Sequence, residues 1–341
     1  ITLSIIGTGF FKPNISSMVG ELYNEGDPRR DAGFSLFYSG INIGALLGGA
    51  LCVYLGKFHG WGLAFFAAAA VMVIGVVIFL LTKKSLGPIG NSPLLHLDTK
   101  KRNLREIAVY VGAALSIPLI HAMIENTDYT DYFMYTIGPA ALIYFFYELS
   151  KQESSAAKKK LIAALLFITF SIIFFAFFEQ SGGSLSLFAK GNLDSNLLFF
   201  TIDPNIVNNV SNAFFVILFA PLLGLIWVAL AKRKLEPNTV IKFGLGFLFL
   251  AGSFFILYAT KYFAGPDGIT SLNIFTSACL IMTFGELCLS PIGLSIITKL
   301  SPNRLVGMMM GLWFLASAYG QYAAGLLGAG MASPNESASN L

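Results

Sequence analysis

Three ionisable residues lie within apolar stretches: Lys12, Glu179 and Glu286. A charge at the centre of a helix solvated by hydrocarbon costs about 2.5–3.5 kcal/mol on insertion scales, so such groups face a polar cavity, pair with one another or snorkel from a helix end. A lysine and two glutamates in that setting can bind the ends of a zwitterion or carry a proton. A purely structural ion pair is the competing reading. Polar side chains recur beside them at helical spacing: Tyr38 with Asn42, Glu286 with Ser290, and Asn212 with Asn208 and Asn209. Residues three or four apart share a helix face. The asparagines suit interhelical hydrogen bonds as well as a cavity wall, and Trp313 suits a site wall or ordinary packing. Gly40, Gly44 and Gly48 form a small-residue ridge on the far side of the helix from Tyr38 and Asn42, a pattern that lets helix backbones approach. Pro291, directly after Ser290, is expected to kink its helix and free carbonyls for a cavity.

The elements that position these residues are membrane spans. Of 341 residues, 55% are hydrophobic and 12% charged, about half the roughly 25% charged fraction of soluble domains. An ordinary soluble enzyme is excluded. A bilayer core needs around 20 apolar residues per helix, and ten segments approach this, at about 1–20, 33–55, 61–82, 106–124, 132–149, 161–180, 206–231, 240–260, 271–298 and 305–330. The runs are continuous rather than alternating, so the fold class is an all-α polytopic membrane protein and not a β-barrel. Lys and Arg mark the cytoplasmic side. Seventeen fall in one alternating set of loops, while the other set holds only Lys57, Lys190 and Lys261. Lys242 falls at an inner helix end, and the first span runs from outside to inside.

The net charge of +4 is spread between spans, which argues against nucleic acid as a partner. Cys52, Cys279 and Cys288 all lie in apolar runs and support neither a disulfide nor a metal site. His59, His96 and His121 have no second ligand at helical spacing. No phosphate-cradling Gly-x-x-x-x-Gly-Lys-Ser/Thr loop is present, so an ion gradient is the expected power source. The chain opens on Ile1 with no basic leader, unlike a secretory signal, and its first residues are expected to be missing.

Pro28-Arg29-Arg30-Asp31-Ala32-Gly33 and Pro302-Asn303-Arg304-Leu305-Val306-Gly307 share Pro-x-Arg-x-x-Gly at an offset of 274, which also places Lys12 on Glu286 and Ser16 on Ser290. Parallel repeats of six spans relate the two halves of major-facilitator transporters. The repeat separation here is eight spans, so the hairpin 106–149 is read as an insertion. Residues 1–82 then end an N-terminal six-helix half, 83–160 are a linker with the inserted hairpin, and 161–341 belong to the C-terminal half. On this reading about three helices are missing upstream and one downstream.

Gly7-Thr8-Gly9-Phe10-Phe11-Lys12-Pro13-Asn14, Phe34-Ser35-Leu36-Phe37-Tyr38-Ser39-Gly40-Ile41-Asn42-Ile43-Gly44 and Phe178-Glu179-Gln180-x-Gly-x-Ser184 closely resemble motifs of the proton-dependent oligopeptide transporters. These are the peptide branch of the major facilitator superfamily. The resemblance runs over nearly the whole chain and includes the inserted hairpin of bacterial members. It implies a proton-coupled symporter importing di- and tripeptides across the bacterial inner membrane by alternating access, with no cofactor. It also implies that Lys12, Tyr38, Asn42, Asn212, Glu286, Ser290 and Trp313 line the peptide cavity, and that Glu179, Glu286 and Lys12 belong to the proton-coupling network. The family's first-helix Glu-x-x-Glu-Arg motif, partner of the lysine, is absent from this chain.

A peptide zwitterion fits opposed charges: Glu286, with Asn212, would take the ammonium, Lys12 the carboxylate, and Tyr38 and Asn42 the backbone. The rival readings are a drug or organic-cation antiporter, with Lys12 structural, and a non-transporting membrane scaffold whose polar stripes only join helices. A membrane hydrolase lacks a paired nucleophile and base.

Overall fold

The computed structural model describes residues 1–24, 26–92, 94–95 and 97–331. His96 and the tail after Met331 lie outside the described residues. The chain is helical: α1 (Thr2–Glu21), α2 (Arg30–His59), α3 (Trp61–Thr82), α4 (Thr99–Glu125), α5 (Thr127–Ser150), α6 (Ser155–Phe178), α7 (Ser184–Asn192), a two-stranded hairpin of β1 (Asn196–Leu197) and β2 (Phe200–Thr201), then α8 (Pro204–Lys232), α9 (Thr239–Ala259), α10 (Leu272–Leu300) and α11 (Val306–Met331). Each of the ten expected spans falls on a long helix. Seven helical stretches are long and apolar enough to cross a membrane by length and composition; α1, α5 and α11 fall outside that set. The first carries Lys12 and Asn14, the second Asp128, Asp131 and Glu148, and the third is rich in glycine. The short α7 and the hairpin, which pairs Asn196 with Thr201 and Leu197 with Phe200, were not expected from the pattern of apolar runs.

Local chemistry sets the helix ends. Asn126, Asp203 and Asn238 cap α5, α8 and α9 by accepting the backbone N–H of Asp128, Asn205 and Ile241 at 2.9, 2.7 and 2.9 Å, satisfying donors that a first turn leaves free. The end of α8 closes in a paired C-cap, where Leu235 N–H reaches the Leu230 carbonyl and Lys234 N–H that of Ala231, both at 2.9 Å. The closing residue, Lys234, has φ +59°, a position glycine usually fills. Before α2, the Arg29 guanidinium beside Asp27 holds that carboxyl below its ordinary range, at about 2.

The chain forms two compact units. The first comprises Ile1–Asn24, Leu86–Thr169 and Ile296–Tyr319. In it α1 packs on α4, and Ser16 and Ser17 return their hydroxyls to the Lys12 and Pro13 carbonyls at 2.8 Å. Glu148 of α5 is only 3% exposed. It accepts from Arg304, the arginine of the second Pro-x-Arg-x-x-Gly stretch, and from Lys151 at 3.2 Å. Tyr319 of α11 donates to the Met134 carbonyl of α5, and its ring occupies the space that a side chain at Gly138 would need.

The second unit comprises, of the described residues, 26–85, 170–295 and 320–331. Its centre is α10, whose residues from Leu287 to Ser295 are buried throughout. Backbones meet closely where glycines allow it: a Cβ on Gly285 would stand 2.8 Å from the Gly246 carbonyl oxygen of α9, and one on Gly224 of α8 would stand 3.1 Å from the Cα of Ala32 on α2. Around Gly40, Gly44 and Gly48 nothing among the described residues lies within 4 Å of a Cβ position, so the tight crossings use other glycines than the expected ridge. Phe174 of α6 stacks on Phe178 at 5.5 Å and meets Phe247 of α9 edge-on at 5.7 Å.

Candidate functional site

The second unit assembles a polar site from α2, α8 and α10. Glu286 is 4% exposed. Its Oε1 accepts from the Tyr38 hydroxyl of α2 and its Oε2 from Nδ2 of Asn212 on α8, at 2.7 Å. The same amide reaches the Thr283 hydroxyl, one turn earlier on α10, at 3.3 Å. Beneath these groups Val216, Ala220 and Leu287 form an apolar floor against which the Tyr38 ring packs. Ser290 lies beside the Tyr38 hydroxyl. Three of the residues expected from sequence thus meet at one carboxylate, and a fourth adjoins it.

Asn42 spends its amide on the Tyr38 carbonyl of its own helix at 3.0 Å. Asn208 serves as interhelical glue, donating to the Ser181 carbonyl at 2.7 Å, and Asn209 bonds back to Asn205 at 2.8 Å. Glu179 opens the single 3-10 turn that follows α6, Glu179–Gly182, and accepts from Gln321 of α11 at 3.3 Å. Glu179 and Glu286 are near enough for their charges to interact. Lys12, on an exposed stretch of α1, and Trp313, buried on α11, belong to the first unit.

A carboxylate offers about four lone-pair directions, and two neutral donors occupy two of them. Within the second unit no described lysine or arginine pairs with Glu286. Burying such a group without a countercharge is costly unless a cation or a proton completes it. The site is therefore chemically suited to an ammonium ligand or to a proton. Among the described residues no group of three or more His, Cys, Asp or Glu is placed to hold a metal.

A model described as the POT family matches residues 1–340. This chain belongs to the POT family. It is 36% identical over 344 residues to the peptide transporter YePEPT of Yersinia enterocolitica, covering 95% of this chain and 66% of that protein. To the di-/tripeptide transporter of Lactococcus lactis it is 33% identical, covering 94% and 66%. The chain thus spans about two thirds of the length of these POT relatives. Among solved structures it resembles a point mutant of peptide transporter POT in complex with alafosfalin, with TM-score 0.67, 33% identity and coverage of 97% and 68%. A sulfate complex of peptide transporter POT gives a TM-score of 0.66 at 32% identity. The POT family is a family of transporters, not of enzymes, and with its apolar helices this member is a multi-pass protein of the bacterial inner membrane.

Sequence reasoning missed several polar residues of this POT chain. Thr283 stands three residues before Glu286, the one periodic signal that pointed to it. Lys242, expected only as a cation at an inner helix end, lies in the first turn of α9 and is buried there: it is 2% exposed, bound to Asp31 at 2.7 Å and Glu236 at 2.5 Å, with its ammonium 4.7 Å from the Trp227 ring. Ser295 completes Asp31 at 2.6 Å. Gln321 carried no signal, being a lone amide among small residues.

Proposed function

We infer that this chain is part of a proton-coupled symporter that imports di- and tripeptides. The observation that carries the reading is the buried Glu286 carboxylate, held by neutral donors from two other helices, with no described lysine or arginine of its unit paired to it. A peptide ammonium completes it. Asn212 and Tyr38 orient the acid, while Asn42, Ser290 and Trp313 line the peptide cavity. Lys12 attracts the carboxylate end. Reading the termini and backbone rather than side chains permits many peptide sequences. Glu179, Glu286 and Lys12 pass the coupling proton, and no cofactor takes part.

The architecture that suits this is the major-facilitator one: residues 1–82 as the end of one six-helix half, 83–160 as a linker with an inserted hairpin, and 161–341 in the other half, rocking about the cavity. The peptide-transporter relatives and the apolar helices support it. The test is accumulation of labelled dialanine by the complete transporter in liposomes under an inward proton gradient. Accumulation that unlabelled dialanine competes away, and a lipophilic cation does not, is the expected result. No gradient-driven accumulation, or competition by the cation alone, overturns the reading.

A further inference from the structure

Glu179 sits where α6 gives way to a 3-10 turn, a break that needs support from outside the helix because its last carbonyls have lost their partners. The support comes from Gln180 and α11. Gln180 is 3% exposed; its Nε2 returns to the Ala176 carbonyl at 2.8 Å and reaches the Ala324 carbonyl of α11 at 3.5 Å, and its Oε1 accepts from the Ser184 hydroxyl at 2.8 Å. Gly320, Ala324 and Gly328 are spaced four apart, so they form one stripe on α11, and the stripe lies on this break. A Cβ at Gly320 would run into Phe175, and one at Gly328 would stand 2.9 Å from the Cα of Gly183. Gln321, one residue round from the stripe, donates to Glu179 at 3.3 Å.

We propose that Gln321 is a positioning residue for proton coupling: the stripe and Gln180 fix the backbone of the turn against α11, and the Gln321 amide then holds the Glu179 carboxylate in place. A neutral donor suits this task, since it stabilises the anion without cancelling its charge, whereas lysine would form an ion pair that a proton could not easily displace. Among the described residues, the ionisable groups of other elements within electrostatic reach of Glu179 are Glu286 of α10 and Tyr38 of α2. The inference rests on the reading of Glu179 as a coupling group.

The test uses the complete transporter in liposomes, carrying Gln321→Ala, Gln321→Asn, Glu179→Gln or the pair Gln321→Ala with Glu179→Gln. Proton-driven dialanine uptake is followed against pH, and counterflow is measured without a gradient. Gln321→Ala is expected to keep counterflow within about twofold, to lose several-fold in driven uptake and to displace the midpoint of its pH profile, with Gln321→Asn restoring part of both. In the Glu179→Gln background it should change nothing further, because coupled residues are not additive. An unchanged profile for Gln321→Ala, or an equal effect in both backgrounds, overturns the inference alone. A silent Glu179→Gln overturns the coupling reading and the inference with it.

Discussion

The Tyr38 hydroxyl and the Glu286 carboxylate, 248 positions apart, form a direct hydrogen bond between α2 and α10. Each residue also serves a second partner: the Tyr38 ring packs on the apolar floor and Glu286 takes the Asn212 amide. This tie orients the acid. Tyr38→Phe keeps the ring and removes the donor, and a hydrogen bond to a charged group contributes about 1.5–3 kcal/mol. The KM for dipeptide uptake is expected to rise roughly tenfold, and the midpoint of thermal unfolding to fall, because the buried carboxylate loses one of its donors. Uptake kinetics with the wild-type KM would show that the bond is idle.

The Lys242 ammonium is the only described cation held by both Asp31 and Glu236, and Asp31 has Ser295 besides. Lys242→Met fills the space beside Trp227 and leaves the two carboxylates facing each other. Breaking a buried pair from one side costs about 3–5 kcal/mol, and here somewhat less because both acids are partly exposed. The midpoint of thermal unfolding in detergent should fall by several degrees, and Lys242→Met with Asp31→Asn should recover part of the loss. A single variant as stable as wild type contradicts this account of the cluster.

Gly285 and Gly246 let α9 and α10 touch through backbone alone. Gly285→Ala places a methyl 2.8 Å from the Gly246 carbonyl oxygen, where no side chain can give way, and overpacking of this kind costs about 1–3 kcal/mol. Gly40→Ala, with nothing among the described residues within 4 Å of its Cβ position, serves as the control. Thermal unfolding of the two variants should separate clearly.

Asp27 provides a pH test away from the spans. Arg29 lowers its carboxyl from 3.8 to about 2, so its ionised form is favoured in the folded chain. The stability it contributes is present above about pH 4 and is lost as pH falls through about 2. The difference in unfolding temperature between wild type and Asp27→Asn should therefore narrow across that window. A constant difference rules out the pairing as the cause.

The long apolar runs made the helices legible, because a span must satisfy its own backbone and leaves few alternatives. The pairs Glu286 with Ser290 and Asn208 with Asn212 were legible as faces through helical spacing. Which face meets which was not: nothing local in Tyr38 announces Glu286, and Lys242 reads as a cation at an inner helix end until Asp31 and Glu236 are brought to it. The turn at Glu179 was hidden for a similar reason. Its supports, Ala324 and Gln321, lie more than 140 residues away in a glycine-rich helix. The ridge of Gly40, Gly44 and Gly48 was legible as a pattern, yet the pattern does not say which neighbour uses it.

The central claim is that Glu286 receives the ammonium of a peptide, and calorimetric binding to the purified complete transporter tests it most directly. Dialanine and N-acetyl-dialanine, which lacks the ammonium, are titrated into wild type and Glu286→Gln. The account predicts that the substitution weakens dialanine by at least about tenfold, or 1.4 kcal/mol, and leaves the acetylated peptide's weaker binding unchanged. Equal affinity of both proteins for dialanine contradicts it.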